Sequence, residues 1–255
     1  MADRSFIAVV VAIALAGCKD RRSPPPPPAS TMPPKPPDFP NATEEQLERK
    51  ARSEARLRDE GMKVNASLPV IADKARAKPR ALSRVVDRAL ALTLVAVKGE
   101  GLEQPKVLSF RDELGAAPFL SPKEKSFVDA TTVDKQERAQ FAWRYECLGV
   151  LHWALGRVET LAKPAAIVDA GLMVKLVMRP GAAEYRAAAK LRSIDEILDE
   201  ADLIYRYDWA CVDARVAGKP APTGIDCEIV VERHHALNWL SGYQDRAWDD
   251  VSTDT

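Results

Sequence analysis

Residues 79–98 read PRALSRVVDRALALTLVAVK, and this stretch carries the clearest structural signal in the chain. Its apolar residues recur at steps of three and four positions and form one wide stripe, which is typical of a helix with a buried face. A proline stands at the start and Gly99 follows directly, as is usual at helix ends. The stretch therefore predicts a core helix that ends at Gly99.

Other segments carry helix signals of the same kind. Capping boxes, in which two side chains three residues apart satisfy backbone N–H groups of the first turn, indicate three helix starts. They are Thr43 with Gln46, Ser121 with Glu124 and Ser193 with Glu196. We predict helices over residues 43–60, 133–155, 193–216 and 226–240, and another that begins at Ser121. Strand signals are few, so the expected fold class is all-α, mainly helical, with a single compact multi-helix domain.

The helix over residues 43–60 differs from the others in its composition. Leu47 and Leu57 are almost its only large apolar residues, so we expect it on the outside of the domain. Its charged residues are spaced for ion pairs one helical turn apart. The expected pairs are Glu45 with Arg49, Glu48 with Arg52 and Glu54 with Arg58.

The first 18 residues have the three parts of a secretory signal. Arg4 supplies a weak positive charge, residues 6–16 (FIAVVVAIALA) are apolar, and Leu15-Ala16-Gly17-Cys18 closes the run. The apolar run is too short for a transmembrane helix, which needs about twenty residues. The segment resembles the lipobox of bacterial lipoproteins, which implies cleavage before Cys18 and a membrane anchor through lipid on Cys18. An ordinary secretory signal and a cytosolic protein with an apolar amino terminus are the alternatives.

A proline-rich segment follows the predicted anchor. Ten of the 18 residues 23–40 are proline, so polyproline II is expected at about 3.1 Å per residue. We divide the chain into a lipoprotein signal peptide (1–17), a lipid-anchored proline-rich linker (18–42) and a helical domain (43–255). Because Lys19 rather than Asp follows the cysteine, the expected location is the bacterial cell envelope, at the outer membrane, facing the periplasm or the surface.

Composition and motifs exclude several function classes. The chain has 37 Lys and Arg and 37 Asp and Glu, so no basic face points to nucleic acid as a partner. No Walker loop, Rossmann glycine pattern, GxSxG or HExxH occurs. The sequence therefore indicates no cofactor, no metal ligand set and no catalytic residue.

The cysteines after Cys18 are odd in number, so at most one disulfide can form among Cys147, Cys211 and Cys227. Cys211 and Cys227 would lie near the open end of a helical hairpin, which makes a bridge between them conceivable. We favour three small buried residues in helices, because a helical domain of this length does not require a disulfide.

Four polar clusters are candidates for a functional site. Glu232 and His235 form an ExxH pair, but the second copy that di-iron helix bundles use is missing. A mononuclear metal site that combines His234 or His235 with an aspartate of the tail stays open as an alternative. The other clusters are residues 143–146 (WRYE), residues 199–202 (DEAD) with Arg206, and residues 248–255 (WDDVSTDT).

These clusters supply a set of candidate site residues, which could form one buried polar network or line a ligand cleft. The set is Arg144, Glu146, Arg206, Glu232, His234, Asn238, Asp249 and Asp254. We favour the network, with a binding or scaffolding domain displayed on the envelope as the function. A metal-dependent hydrolase that uses Glu232, His234 and an aspartate is the alternative, and an immunity or inhibitor protein that binds a partner is a further one.

Several short motifs occur in the order seen in a bacterial protein family. They are Arg88–Leu92, Trp143-Arg144 with Glu146, Trp153–Gly156, Glu232–His234 with Ala236–Leu240, and Trp248–Val251 with Thr253–Thr255. From Ala51 onward the chain resembles the family called domain of unknown function 4272. The resemblance implies no established activity, cofactor or catalytic residue. The lipobox and the proline-rich linker are not expected of most members.

Overall fold

The computed structural model describes residues 39–255, and this part of the chain contains helices and no β-strand. The α-helices are α1 (Glu44–Asp59), α2 (Leu82–Glu100), α3 (Gln104–Leu114), α4 (Pro122–Asp129), α5 (Lys135–Ala142), α6 (Arg144–Ala154), α7 (Ala170–Met178), α8 (Gly181–Ala187), α9 (Ile194–Val216) and α10 (Cys227–Ser241). The predicted all-α fold class is confirmed. The signal peptide, Cys18 and the linker up to residue 38 lie outside the described residues. No described helix has both the length and the apolar composition needed to cross a membrane.

Helix α2 is the central element of the domain, as its apolar stripe predicts. It contacts every helix from α3 to α8. Leu90, Leu92 and Leu94 are all fully buried, although they point to different sides of the helix. A helix that is apolar on several sides is stable only where neighbours cover it on several sides, and α2 has such neighbours.

The predicted end of α2 at Gly99 is wrong. The helix continues to Glu100, and Gly101 caps it in the left-handed conformation with φ 113°. Gly99 instead marks the place where α5 crosses α2: a Cβ added there would lie 2.5 Å from the backbone nitrogen of Ala142. The absent side chain therefore permits close packing of two helices.

The predicted single helix over residues 133–155 is divided in two. Helix α5 ends at Ala142 and α6 begins at Arg144, with Trp143 as the junction residue. Both helices contact α2. The break lets the polar segment cross α2 at Gly99, whereas the apolar segment packs along the core.

Helix α1 packs against α9, and it does so through charged side chains. Arg49, Lys50 and Glu54 are buried on its inner face, together with Leu57, whereas Leu47 is exposed. The expectation of an outer helix therefore misses a buried face that is largely ionic. Two of the three predicted i, i+4 pairs form, Glu45 with Arg49 and Glu54 with Arg58. Arg52 binds Asp199 of α9 instead of Glu48.

Helices α9 and α10 form a hairpin closed by a disulfide. Cys211 lies near the end of α9, Cys227 is the first residue of α10, and the two are bonded with their Cα atoms 5.7 Å apart. The favoured interpretation of three reduced cysteines is therefore wrong, because the short loop brings the ends of these helices within bonding distance. Cys147 is free and buried.

Candidate functional site

The tail after α10 returns to the domain and buries Trp248 among charged side chains. Gly242 ends α10 with φ 77°, and a short 3-10 turn at Trp248–Asp250 follows. The Trp248 ring lies 5.0 Å from the Arg88 guanidinium carbon and 5.9 Å from that of Arg144. Its edge contacts are with His235 at 4.5 Å and Trp239 at 5.5 Å between ring centroids. Cation–π and edge-to-face contacts both stabilise such an arrangement.

Arg144 and Glu232 join α6 to α10 beside this ring. Arg144 Nη1 donates to Glu232 Oε2 at 2.8 Å. The thiol of Cys147 donates to the same carboxylate oxygen at 3.1 Å. Burial raises the pKa of the Cys147 thiol well above its usual value, and the nearby Glu232 carboxylate adds to this effect. The cysteine therefore stays protonated and is not an activated nucleophile.

Arg88 and Glu124 form a second ion pair near Trp248, and both side chains are buried. Arg88 Nη2 donates to Glu124 Oε2 at 2.6 Å, and the same oxygen accepts the backbone N–H of Ser121 at 2.9 Å. Arg88 Nε and Glu124 Oε1 are buried and have no hydrogen-bond partner among the described residues. Burial lowers the pKa of Arg88, although Glu124 opposes that effect.

Glu146 and Arg233 form another link between α6 and α10. Arg233 Nε donates to Glu146 Oε2 at 3.0 Å, and the other carboxylate oxygen accepts the backbone N–H of Val168 at 2.7 Å. Arg233 also donates to the carbonyl oxygen of Ala162 at 2.6 Å. Burial raises the pKa of Glu146, and Arg233 only partly offsets this. These contacts attach the 160–168 loop to the helices.

Arg206 forms an ion pair within α9. Its Nε and Nη2 atoms donate to the two oxygens of Asp202 at 2.8 and 2.7 Å, and both side chains are about 1% exposed. Asp199, which belongs to the same DEAD cluster, binds Arg49 and Arg52 of α1. Arg206 Nη1 also lies 3.7 Å from Glu54 Oε1, so the pair is linked to α1.

His234 is paired with Asp208, a residue that the sequence did not single out. His234 Nδ1 lies 2.7 Å from Asp208 Oδ2, and both side chains are almost completely buried. Because the carboxylate accepts, Nδ1 carries the hydrogen of this bond. The contact fixes His234 inside the α9–α10 hairpin.

The remaining candidates hold the tail in place. Asn238 Nδ2 donates to the carbonyl oxygen of Ser252 at 2.9 Å. Asp249 Oδ2 accepts the backbone N–H of Lys123 at 3.0 Å, in the first turn of α4, where a negative charge is favoured. Asp254 is exposed, and its backbone N–H donates to the Ser252 hydroxyl.

The structure thus divides the predicted residues among separate contacts and does not join them in one network. Glu232 binds Arg144, whereas His234 binds Asp208, so the two residues do not share a ligand position. Within residues 39–255, no group of three or more His, Cys, Asp or Glu side chains is arranged to hold a metal ion. The arrangement can stabilise the packing of α6, α9, α10 and the tail.

An open cleft lies elsewhere, between α1 and α9, and the sequence did not predict it. It has an empty volume of about 380 Å³, its open mouth included, and its polar lining is formed by Arg49, Arg52, Arg56, Asp199 and Glu200. A smaller pocket adjoins it and shares Arg56 and Glu200 with it. The spacing of the three arginines at three and four residues was the available signal, but the sequence pattern assigns Arg49 and Arg52 to partners within α1 and gives no prediction for Arg56.

Residues 49–251 match the family described as domain of unknown function (DUF4272), and the chain belongs to that family. The match covers most of the described domain, including α2, the α9–α10 hairpin and Trp248. Comparisons with curated proteins and with solved structures give no match.

Proposed function

We propose that this protein is a lipid-anchored protein of the bacterial cell envelope whose helical domain is a binding module. The observation that carries the proposal is the tetrapeptide Leu15-Ala16-Gly17-Cys18 at the end of a short apolar run. Two or three acyl chains on Cys18, at about 0.8 kcal/mol per buried CH₂, would anchor the chain firmly. The proline-rich linker would then hold the domain about 50 Å from the lipid surface.

The Cys211–Cys227 disulfide supports this location. Disulfides form and persist in oxidising compartments such as the bacterial periplasm and the cell surface, and they are rare in the cytosol. The bond joins two helices of the domain itself. The domain is the part of the chain that the linker would hold outside the cytosol. Export of the chain from the cytosol would explain both the predicted signal peptide and the disulfide.

The contacts of the polar residues support a binding role over hydrolysis. A metal-dependent hydrolase built on Glu232 and His234 needs both side chains directed at one metal ion, but each is engaged by a different partner. The free thiol of Cys147 is buried and protonated. The open cleft between α1 and α9 is the feature that offers space for a ligand.

Replacement of Cys18 tests the proposed location. In a two-membrane bacterium, the Cys18→Ser chain should lose labelling by radioactive palmitate and leave the membrane fraction. A Lys19→Asp chain is the matched control: it should keep its label and shift toward the inner membrane, because Asp after the cysteine favours retention there. If the Cys18→Ser chain fractionates with the envelope exactly as the unaltered chain does, or if both are cytosolic, the proposal fails.

A further inference from the structure

The cleft between α1 and α9 contains more hydrogen-bonding capacity than its own residues use. Arg49, Arg52 and Arg56 lie on one face of α1, and Asp199 and Glu200 face them from α9. Asp199 Oδ1 accepts from Arg49 Nε at 2.9 Å and from Arg52 Nη2 at 2.7 Å. One carboxylate oxygen is therefore already held between two guanidinium groups, which is how arginine pairs bind oxyanions.

Arg49 has an N–H group that remains unused. Its side chain is 2% exposed, and its Nη1 atom is buried with no hydrogen-bond partner among residues 39–255. Its other nitrogens bind Glu45 and Asp199. A buried donor that lacks an acceptor costs about 1 to 3 kcal/mol, so an acceptor in the adjoining cleft would relieve that cost.

Glu200 is the second unused group in the cleft. It lines both cavities and forms no hydrogen bond or ion pair with the described residues. Burial raises its pKa, although Arg56 opposes the effect. Glu200 is thus an acidic group without a hydrogen-bond partner among the described residues, and an anion in the cleft would face it.

We propose that the α1–α9 cleft binds a small oxyanion, a carboxylate or a phosphate group, through Arg49 and Arg52, with Glu200 facing the same ligand. This deepens the proposed function, since it gives the binding module a ligand class and a site. The ligand would bind the Arg52 guanidinium, whose side chain is 57% exposed, and would draw the buried Nη1 of Arg49 toward the cleft. Arg56 would close the inner end of the cleft.

The test uses the full chain in mild detergent, titrated separately with inorganic phosphate and with succinate against sodium chloride of equal ionic strength. Calorimetry and thermal unfolding measure binding. We expect at least one of the two anions to bind and to raise the Tm by mass action. The anion that binds more tightly distinguishes a phosphate ligand from a carboxylate ligand.

Two matched variants separate a site from general charge attraction. Arg52→Gln should weaken binding about tenfold, whereas Arg58→Gln should leave it unchanged. Both arginines are on α1, each binds one carboxylate, and they are 57% and 56% exposed, but Arg58 lies outside the cleft. Glu200→Gln should tighten binding, because it removes a negative charge that faces the anion.

Three results would overturn the proposal: neither anion binds more tightly than chloride, the two arginine variants weaken binding equally, or Glu200→Gln leaves the affinity unchanged. All three measurements are made on purified protein and do not depend on lipid at Cys18. Loss of anion binding with normal fractionation of the chain would therefore reject the site and leave the proposed location intact.

Discussion

Trp248 illustrates how a single side chain can hold several helices together. Its ring contacts Arg88 of α2, Arg144 of α6 and His235 of α10, although it lies in the tail. The two arginines are themselves neutralised by Glu124 and Glu232. The aromatic ring thus packs against the arginines of two ion pairs.

We expect Trp248→Ala to lower the free energy of unfolding by about 3 to 5 kcal/mol, because it creates a cavity and removes both cation–π contacts. Urea unfolding measures the loss. Trp209→Ala serves as the control, since Trp209 is only partly buried and contacts Lys63 at 5.3 Å. Equal losses in the two variants would show that the Trp248 contacts contribute nothing beyond aromatic burial.

The packing of α2 against α5 depends on the absence of a side chain at position 99. A Cβ there would meet the Ala142 nitrogen at 2.5 Å and the Arg138 carbonyl oxygen at 2.9 Å, both of which are backbone atoms. Backbone atoms of a helix cannot move aside without displacing the helix. The glycine therefore fixes the separation of the two helices.

Gly99→Ala should destabilise the domain by about 1 to 3 kcal/mol, even though alanine is the better helix former by about 1 kcal/mol. Thermal unfolding followed by circular dichroism measures this change. Gly149→Ala is the comparison, because the nearest neighbours of a Cβ there are side-chain atoms, with Val168 Cγ1 at 3.0 Å and Met173 Sδ at 3.8 Å. It should cost less, and the reverse order would contradict the proposed role of Gly99.

The disulfide between α9 and α10 restricts the unfolded chain. The bonded cysteines are 16 residues apart, and closing a loop of about 15 residues contributes roughly 3 kcal/mol in the chain-entropy model. A Cys211→Ser, Cys227→Ser double variant should lose about that amount in urea unfolding. Reductant should lower the stability of the unaltered chain and leave that of the double variant unchanged. An unaltered chain that is insensitive to reductant would indicate that the bond does not form.

The buried histidines make the stability of the whole domain depend on pH. His152 is fully buried, and its Nε2 lies 3.1 Å from the carbonyl oxygen of Met173, so Nε2 carries the hydrogen. Nδ1 then accepts the Tyr185 hydroxyl at 3.0 Å. Burial lowers the pKa of His152 to about 4, and the nearby Arg157 adds to this effect.

Because the pKa is lower in the folded chain than the usual 6.5, the unfolded chain binds more protons between these values. The contribution of neutral His152 to the free energy of unfolding is complete above pH 6.5. It is lost as the pH falls toward 4, by on the order of 3 kcal/mol. Burial lowers the pKa of His235 to about 3, which acts in the same direction. The raised pKa values of Glu146 and Glu200 oppose the trend, because their contributions are lost as the pH rises.

A His152→Gln variant removes the contribution of this histidine to the pH dependence of stability. Its free energy of unfolding should depend less on pH between about 6.5 and 4 than that of the unaltered chain, as measured by urea unfolding at several pH values. Tyr185→Phe is a useful companion, because it removes the hydroxyl and keeps the histidine. Parallel pH curves for the His152→Gln and unaltered chains would contradict the assignment.

The sequence predicts those features of the domain that depend on neighbouring residues. The capping boxes at Thr43, Ser121 and Ser193 form as expected, because their partners are three residues away. The same applies to Asp202 with Arg206, which are one turn apart. Helices α3, α7 and α8 were not predicted, because they are short and their apolar faces are buried by packing against α2.

The candidate site depends on contacts between distant parts of the chain, and the hydrophobic periodicity of the sequence does not predict such contacts. Arg144 and Glu232 are 88 positions apart, and Glu146 and Arg233 are 87 positions apart. Each was a candidate, but their pairing follows from the way α6 meets α10. The α1–α9 cleft was missed for the same reason, because Asp199 binds Arg49 and Arg52 from a helix about 150 positions away in the chain.

The ionic face of α1 has a mechanical consequence. The proline-rich segment precedes α1, so in the proposed anchored chain tension between the membrane and the domain would reach α1 first. This helix is held to α9 partly by ion pairs with Asp199, whereas α2 is embedded in apolar contacts. Under load, α1 should separate from α9 before the rest of the domain unfolds, and an oxyanion bound between the two helices would oppose that separation.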